Sequence, residues 1–385
     1  MPQDRTPGTD IVVIGGGVIG LTVAWRAARR GRSVRVIERG DELGSGASHV
    51  AAGMLAPVTE ADPGELELLQ LGLRSAGMWP AFAAELSEAA GGADPQLRRC
   101  GTLVVARDAD EAAALERELE LRRELDLDVQ RLLPSAARRL EPALAPSIRL
   151  ALEVPGDHVA NPRAMISALA EASRRAGVAM ATGDPVEQIE CDGAKIAGVR
   201  LAGGSFIAAE QVVVAAGAWS ATIAGLPELA AAIPLRPVKG QIMRLRDPGG
   251  PGMLQRIVRF EGGYLVPRGD GRYVLGATME ERGFDTSVTA GGLHELLRDA
   301  SELVPGVLEL VVEETSAGLR PATPDNAPVL GPDGGIDGLH WATGHHRNGI
   351  LLAPVSAEIV AGALDGEDVP PQFSARRFER ERAPA

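Results

Sequence analysis

The stretch Asp10–Gly20, DIVVIGGGVIG, decides how this chain folds. Ile11 to Ile14 are β-favouring apolar residues and read as a buried strand. Gly15, Gly17 and Gly20 then give the spacing G-x-G-x-x-G, and Leu21 to Arg30 read as a helix. The first glycine permits the tight turn, the second lets a pyrophosphate approach the backbone, and the third lets helix and strand pack closely. A dinucleotide's phosphates would sit on the positive end of the helix dipole. Ser33 to Ile37 reads as a second strand. Glu38 stands at its end, 18 residues past Gly20, where a carboxylate can bond ribose hydroxyls and disfavours a 2′-phosphate. A structural turn followed by a surface Glu is the plainer alternative.

Composition sets the limits within which this crossover works. A chain of 385 residues with 45% hydrophobic content exceeds the usual size of one core, so two domains are expected. The formal charge of −13 opposes nucleic acid or an anionic membrane as a partner. Two cysteines, Cys100 and Cys191, stand far apart and outside any metal-like spacing, which suggests a reducing compartment and no disulfide framework. No apolar run reaches 18 residues, and glycines interrupt the one that might mimic a signal peptide, so a soluble, cytoplasmic protein is expected.

Along the chain, residues 1–9 read as a loose leader. The loop GSGASHVAAGM, residues 44–54, is small-residue rich and apolar at its end, as a segment beside a ligand would be. Helices are expected at 65–90, 108–125 (a solvated outer cover), 134–140 and 163–176, the last capped by Asn161 with Pro162 in its first position. Strands are expected at 101–106 and 148–154. Residues 178–208 read as a small β-meander, and 211–216 as a separate strand buried on both faces. Strands at 233–246, 255–261, 264–267 and 273–278 imply an antiparallel sheet with a helix at 292–303. A return segment, 315–328, leads to a strand at 339–343, the loop GHHRNG and a last helix at 350–364. The fold class is α/β with two domains. A Rossmann-like nucleotide domain (1–80, 150–225 and 315–385) is interleaved with an antiparallel-sheet substrate domain (81–149 and 226–314).

Seven segments together resemble the flavin-dependent D-amino-acid oxidase superfamily and, within it, the glycine oxidases of thiamine biosynthesis. They are VVIGGGVIG, ASHVAAGML, VVVAAGAWS, LRPVKGQ, the pair GYLVPR and LGATM, AGLRPATPD and GHHRNGILLAP, in an order that covers nearly the whole chain. The resemblance implies non-covalent FAD, small amino-acid substrates, dioxygen as acceptor and a homotetramer. It puts Val18 and Ile19 at the pyrophosphate turn, Glu38 and Arg39 at the adenosine, and Ala47 and Ser48 along the phosphates. Ala52, Gly53 and Met54 would run beside the isoalloxazine, and Val186 would meet the adenine. Gly217 of VVVAAGAWS, with His345, His346, Arg347, Asn348, Gly349, Ile350 and Leu351, completes the flavin site. Arg320 and Arg347 match substrate-binding arginines, Tyr264 the pocket tyrosine, and Met279 a methionine near the substrate.

The chemistry suits those residue types. An arginine fork binds both oxygens of a carboxylate and so fixes orientation as well as charge. The helix beginning near Asn348 offers backbone N–H groups to the reduced flavin. His345 and His346 have no partners at metal-ligand spacing, so no metal is expected. Where a characterised relative has a histidine two residues before the tyrosine, this chain has Gly262, from which a larger pocket or a looser lid follows. The implied reaction is oxidation of glycine, sarcosine or small D-amino acids. A dehydrogenase using another acceptor, or a flavin-binding protein without amine oxidation, is the alternative.

Overall fold

Ile11–Ile14 lies in the middle of an eight-stranded sheet, and its alternation sorts the sheet's two faces. Ile11 and Val13 pack with Leu21, Trp25 and Val36 on the helical side, and Val12 and Ile14 with Val199, Val212 and Trp341 on the other. Fully burying such side chains contributes about 1.5–3 kcal/mol each. The computed structural model describes residues 5–227, 230 and 232–382. The sheet's main path runs Val329–Pro332, Leu339–Thr343, Phe206–Val214, Arg5–Ile14, Val34–Glu38, Ala179–Thr182. Its pairings are parallel except the first. Lys195–Leu201 and Val186–Asp192 extend it in antiparallel fashion from Phe206–Val214.

The second sheet also has eight strands. Its order is Val311–Ala322, Arg236–Arg246, Arg272–Gly276, Gly263–Pro267, Ile257–Phe260, Thr102–Ala106, Leu150–Val154, Gln130–Leu132. All pairs are antiparallel except Ile257–Phe260 with Thr102–Ala106. The helix Ala290–Leu303 covers one face through Leu296, Ala300 and Leu303.

Four expectations are corrected. Residues 5–9 are not a loose leader, because Arg5, Thr6 and Thr9 continue the first strand against Phe206, Ile207 and Ala209. The strands expected at 206–208 and 211–216 are one strand, Phe206–Val214, paired with Lys195–Leu201 at one end and Leu339–Thr343 at the other. Ala179–Thr182 leaves the meander and pairs with Val34–Glu38. Residues 150–154 and 315–322, expected with the nucleotide domain, lie in the second sheet, held by Thr102–Ala106 and by eight register pairs with Arg236–Met243.

The helix Ala109–Glu124 is solvated on one face only. Asp108 caps it, accepting from the Asp110 and Glu111 N–H groups, a bond of about 1 kcal/mol. Leu115 and Leu119 pack on Val104 and Leu152. The long helix Leu66–Ala89 docks on the last helix, Gly349–Leu364, near Pro354. There the Leu351 carbonyl accepts from Ser75 Oγ at 2.6 Å and Trp79 Nε1 at 3.0 Å.

Candidate active site

A cavity of about 1560 Å³ runs from the carboxyl ends of the first sheet's parallel strands, at Ile14, Ile37, Ala215 and Thr343, to the open face of the second sheet. It is larger than the roughly 300–1,000 Å³ of a drug-sized pocket and lies where open α/β sheets bind ligands. At the first strand's end, Gly15 has φ +111°, and a Cβ there would lie 2.5 Å from the Ala215 carbonyl oxygen. The chain turns into the helix Val18–Arg29, whose first-turn Val18 N–H donates to Ser48 Oγ at 3.0 Å. Glu38 is fixed by the N–H groups of Gly16, at 2.7 Å, and Gly40, at 2.9 Å. The Arg39 guanidinium lies 3.3 Å from the Trp219 ring centroid, giving this end a stacked aromatic wall.

Small residues shape the middle. Gly53 has φ +80°, and a Cβ there would collide with the Ala160 carbonyl. Arg268 holds the same segment, donating to the Ala52 carbonyl at 2.7 Å and the Ala160 carbonyl at 3.1 Å. Burial pulls the Arg268 guanidinium down to about 9.

The far end rests on strand register. Arg259 and Tyr264 are directly paired across the hairpin Ile257–Phe260/Gly263–Pro267, so both side chains leave on one face. Tyr264 pairs in turn with Gly276, where a Cβ would lie 2.8 Å from the Tyr264 hydroxyl. Arg320 reaches the same space over Gly240, where any Cβ would collide with its guanidinium. Its Nη1 donates to the Thr278 carbonyl at 3.1 Å and the Lys239 carbonyl at 3.3 Å. Burial pushes the Tyr264 hydroxyl up, and Arg320 beside it opposes that shift. Arg347 Nε lies 2.6 Å from Glu60 Oε2, and the other Glu60 oxygen accepts from Arg259 Nη1. Burial alone would raise the Glu60 carboxyl, but Arg259 and Arg347 outweigh it and hold it below its ordinary value.

The cavity gathers nearly all the residues expected at the site. Gly15, Gly17, Val18, Ile19, Glu38, Arg39, Ala47, Ser48, Ala52, Gly53, Met54, Val186, Gly217 and His345 to Ile350 line it with Tyr264, Met279 and Arg320. Gly20 does not line it. A Cβ on Gly20 would collide with the Gly15 carbonyl, so its role is the close packing of helix on turn. Leu351 also lies off the cavity; its side chain is in the helical core and its carbonyl faces Ser75 and Trp79.

Met279 lines the cavity but is 64% exposed, which makes it a rim residue. Gly262, with φ +87°, is the second residue of the hairpin turn between Phe260 and Gly263. A side chain there would point at Asp299 Oδ2, so turn geometry governs this position. His345 is neutral, burial pulling it down to about 3, and its Nε2 meets Ser356 Oγ at 3.0 Å. Burial pulls His346 down to about 4, and its Nδ1 has no hydrogen-bond partner in the protein. Among the described residues no group of His, Cys, Asp and Glu has the arrangement of a metal site. Arg259, Glu60, Trp219 and Arg268 were not singled out from sequence. Arg268 lies inside the quoted segment GYLVPR, but its partners are more than 100 residues away.

Comparison with known proteins agrees with this geometry. The family model described as FAD dependent oxidoreductase (DAO) matches residues 10–363. The chain belongs to this family. It is 35% identical over 360 residues to the glycine oxidase of Geobacillus kaustophilus, covering 93% of each chain. The crystal structure of glycine oxidase from that organism superposes with a TM-score of 0.87 over 97% of this chain and 99% of the other. A bifunctional ThiO/ThiG protein of Synechocystis sp. is 34% identical over 96% of this chain, which spans 54% of that longer protein. The iminodiacetate oxidase of Chelativorans sp. BNC1 superposes with a TM-score of 0.84 at 30% identity, over 94% of this chain and 98% of that one.

This member of the DAO family is an FAD-dependent enzyme, and its relatives put it among the family's amine oxidases. The residues present fit the cofactor. Gly15 and Gly53, where a Cβ would strike the Ala215 and Ala160 carbonyls, keep the backbone bare along the cavity lining, and His346, whose Nδ1 has no hydrogen-bond partner in the protein, belongs to the same lining. No helix among the described residues is long and apolar enough to cross a membrane.

Proposed function

We propose that this enzyme carries out the oxidative deamination of glycine and similarly small amines, with dioxygen as the final acceptor. The observation that carries this reading is Arg320, set over Gly240 beside Tyr264 at the end of the cavity opposite the glycine-rich turn. FAD held in this cavity would supply a two-electron acceptor for the α-carbon hydride, with dioxygen as final acceptor and hydrogen peroxide as its product. Arg320 binds the substrate carboxylate and fixes which α-hydrogen faces the cofactor. The Tyr264 hydroxyl adds a donor, and Arg347 closes the pocket from the far wall. Water hydrolyses the imine product to glyoxylate and ammonia.

Gly15, Gly17 and Val18 hold the pyrophosphate, Glu38, Arg39 and Val186 the adenosine, and Ala52 to Met54 with His345 to Ile350 the flavin ring. The first sheet is the cofactor domain, and the second, with residues 150–154 and 311–322 included, is the substrate domain. The ThiO/ThiG relative supports a role in making the thiazole moiety of thiamine, and a cytoplasmic homotetramer accompanies that role.

The test is anaerobic mixing with glycine, sarcosine and D-alanine, followed by admission of air. Bleaching of the flavin by glycine, with prompt recovery and peroxide, is expected. Bleaching that persists in air would replace the oxidase by a dehydrogenase with another acceptor. No bleaching by any of the three would overturn the small-amine reading.

A further inference from the structure

Three arginines, Arg259, Arg320 and Arg347, and one carboxylate, Glu60, meet in the chamber around Tyr264. Glu60 is the bridge, with one oxygen on Arg259 and the other 2.6 Å from Arg347 Nε. It is not a side chain on a loose loop. The turn that carries it is clamped from two sides: Asp157 Oδ2 accepts from the Thr59 N–H at 3.0 Å and Oδ1 from the Val58 N–H at 3.3 Å. Buried Arg122 donates from Nε to the Val58 carbonyl at 2.9 Å and from Nη2 to the Thr59 carbonyl at 2.7 Å. Arg347 has a second, longer partner, Glu65 at 3.6 Å, itself tied to Asn326. Three guanidinium charges therefore face two carboxylates, which leaves one net positive charge for a ligand.

We infer that Glu60 is a resident carboxylate filling a two-arginine anion site, and that it sets the charge of the substrate at one carboxylate. This inference rests on the proposed oxidation of small amino acids and names the selectivity of that pocket. A glycine-like ligand brings the single carboxylate that Arg320 receives. A ligand with a second carboxylate finds Arg259 and Arg347 already satisfied and meets the Glu60 charge at close range, which is selection by an unfavourable contact. Along the same cavity Glu111, Glu118 and Asp299 are paired with Arg107 and Arg122, while Glu261 and Glu295 add negative charge toward the hairpin tip, in the same sense. Without Glu60, the two arginines become an open subsite for a second carboxylate.

Two inert ethers test this on the FAD-loaded enzyme: methoxyacetate, with one carboxylate, and diglycolate, with two. Binding is read as a shift in the flavin's visible spectrum. The native enzyme should prefer methoxyacetate. Glu60→Ala should improve diglycolate binding relative to methoxyacetate by at least tenfold, and Arg259→Gln added to Glu60→Ala should abolish that gain. Glu60→Gln keeps the side-chain volume and removes the charge. It should move the ratio the same way, and it is the variant to read if the alanine protein fails to retain FAD. An unchanged ratio in the variant read, with methoxyacetate still bound, overturns the role of Glu60 and leaves the oxidase reading standing. No response of the native enzyme to methoxyacetate overturns the oxidase reading itself, and the inference falls with it.

Discussion

The guanidinium of Arg320 occupies the space in which Gly240 would carry a Cβ, so the arginine's position depends on a bare backbone on the neighbouring strand. Arg320 and Gly240 belong to strands paired along eleven register positions, Lys239 with Leu319 and Gly240 with Gly318 among them. Sheet pairing, and not loop conformation, therefore aims the proposed carboxylate site. Replacing Arg320 with Ala should lower kcat/KM for glycine by about 10²–10³-fold, the loss of a charge-assisted pair of some 3–4 kcal/mol. Arg320→Lys should recover only part, since an ammonium has no fork. Both variants should keep a bound-flavin spectrum; steady-state kinetics with unchanged kcat/KM would remove Arg320 from substrate binding.

Gly276→Ala puts a methyl 2.8 Å from the Tyr264 hydroxyl and 2.8 Å from Ile242 Cγ2. Overpacking of this kind costs about 1–3 kcal/mol. The expected result is a lower melting temperature and a fall in kcat/KM larger than that caused by Tyr264→Phe, because the ring is displaced as well as the hydroxyl.

Glu38→Ala should weaken FAD binding about tenfold or more, as hydrogen bonds to a charged group contribute about 1.5–3 kcal/mol. The Gly16 and Gly40 N–H groups lose their acceptor at the same time. Titration of the stripped protein with FAD measures this directly, and an unaltered dissociation constant would take Glu38 out of the adenosine site.

Burial pushes the Asp157 carboxyl up to about 7, against the donors Thr59 and Val58. The folded protein thus holds a proton that the unfolded chain has released above about pH 4. That stabilisation is complete below pH 4 and is lost as pH rises through 7, with a slope of at most about 1.4 kcal/mol per pH unit. Melting temperature should therefore fall between pH 5 and 8 in the native protein and fall less in Asp157→Asn. Parallel profiles would exclude Asp157 as the group responsible.

Gly262→Ala should destabilise the hairpin by about 1–2 kcal/mol, because the residue has a left-handed φ. The order of preference among glycine, sarcosine and D-alanine should stay the same. A changed order would give this cavity-lining position a part in choosing the substrate.

Local signals were legible and long-range ones were not. Gly15, Gly17 and Glu38 could be read because a turn, a helix start and a strand end lie within one short crossover. Arg320 needed the resemblance to a family, since Gly-Leu-Arg-Pro alone fits a surface turn equally well. The contact between Glu60 and Arg259 joins residues 199 positions apart and exists only because Ile257–Phe260 enters the second sheet beside Thr102–Ala106. The core position of the Leu351 side chain was not legible, because its carbonyl partners Ser75 and Trp79 lie more than 270 residues earlier in the chain. Residues 5–9 looked like a leader because their strand character comes from Phe206, Ile207 and Ala209, distant in the chain.

The central strand of the first sheet has consequences for how the chain is made. Arg5–Ile14 is made long before its neighbour Phe206–Val214, and that strand's own neighbour, ending at Thr343, is made later still. While the intervening residues are synthesised, a hydrophobic strand waits with an unpaired edge, the condition under which nascent chains aggregate. The proposed flavin cradle, drawing on the first glycines and on the loop at His345 to Ile350, cannot form until that loop has been made. Cofactor capture therefore waits on segments more than 300 residues apart in the chain, and the supply of free FAD when the second is made bears on the yield of folded enzyme.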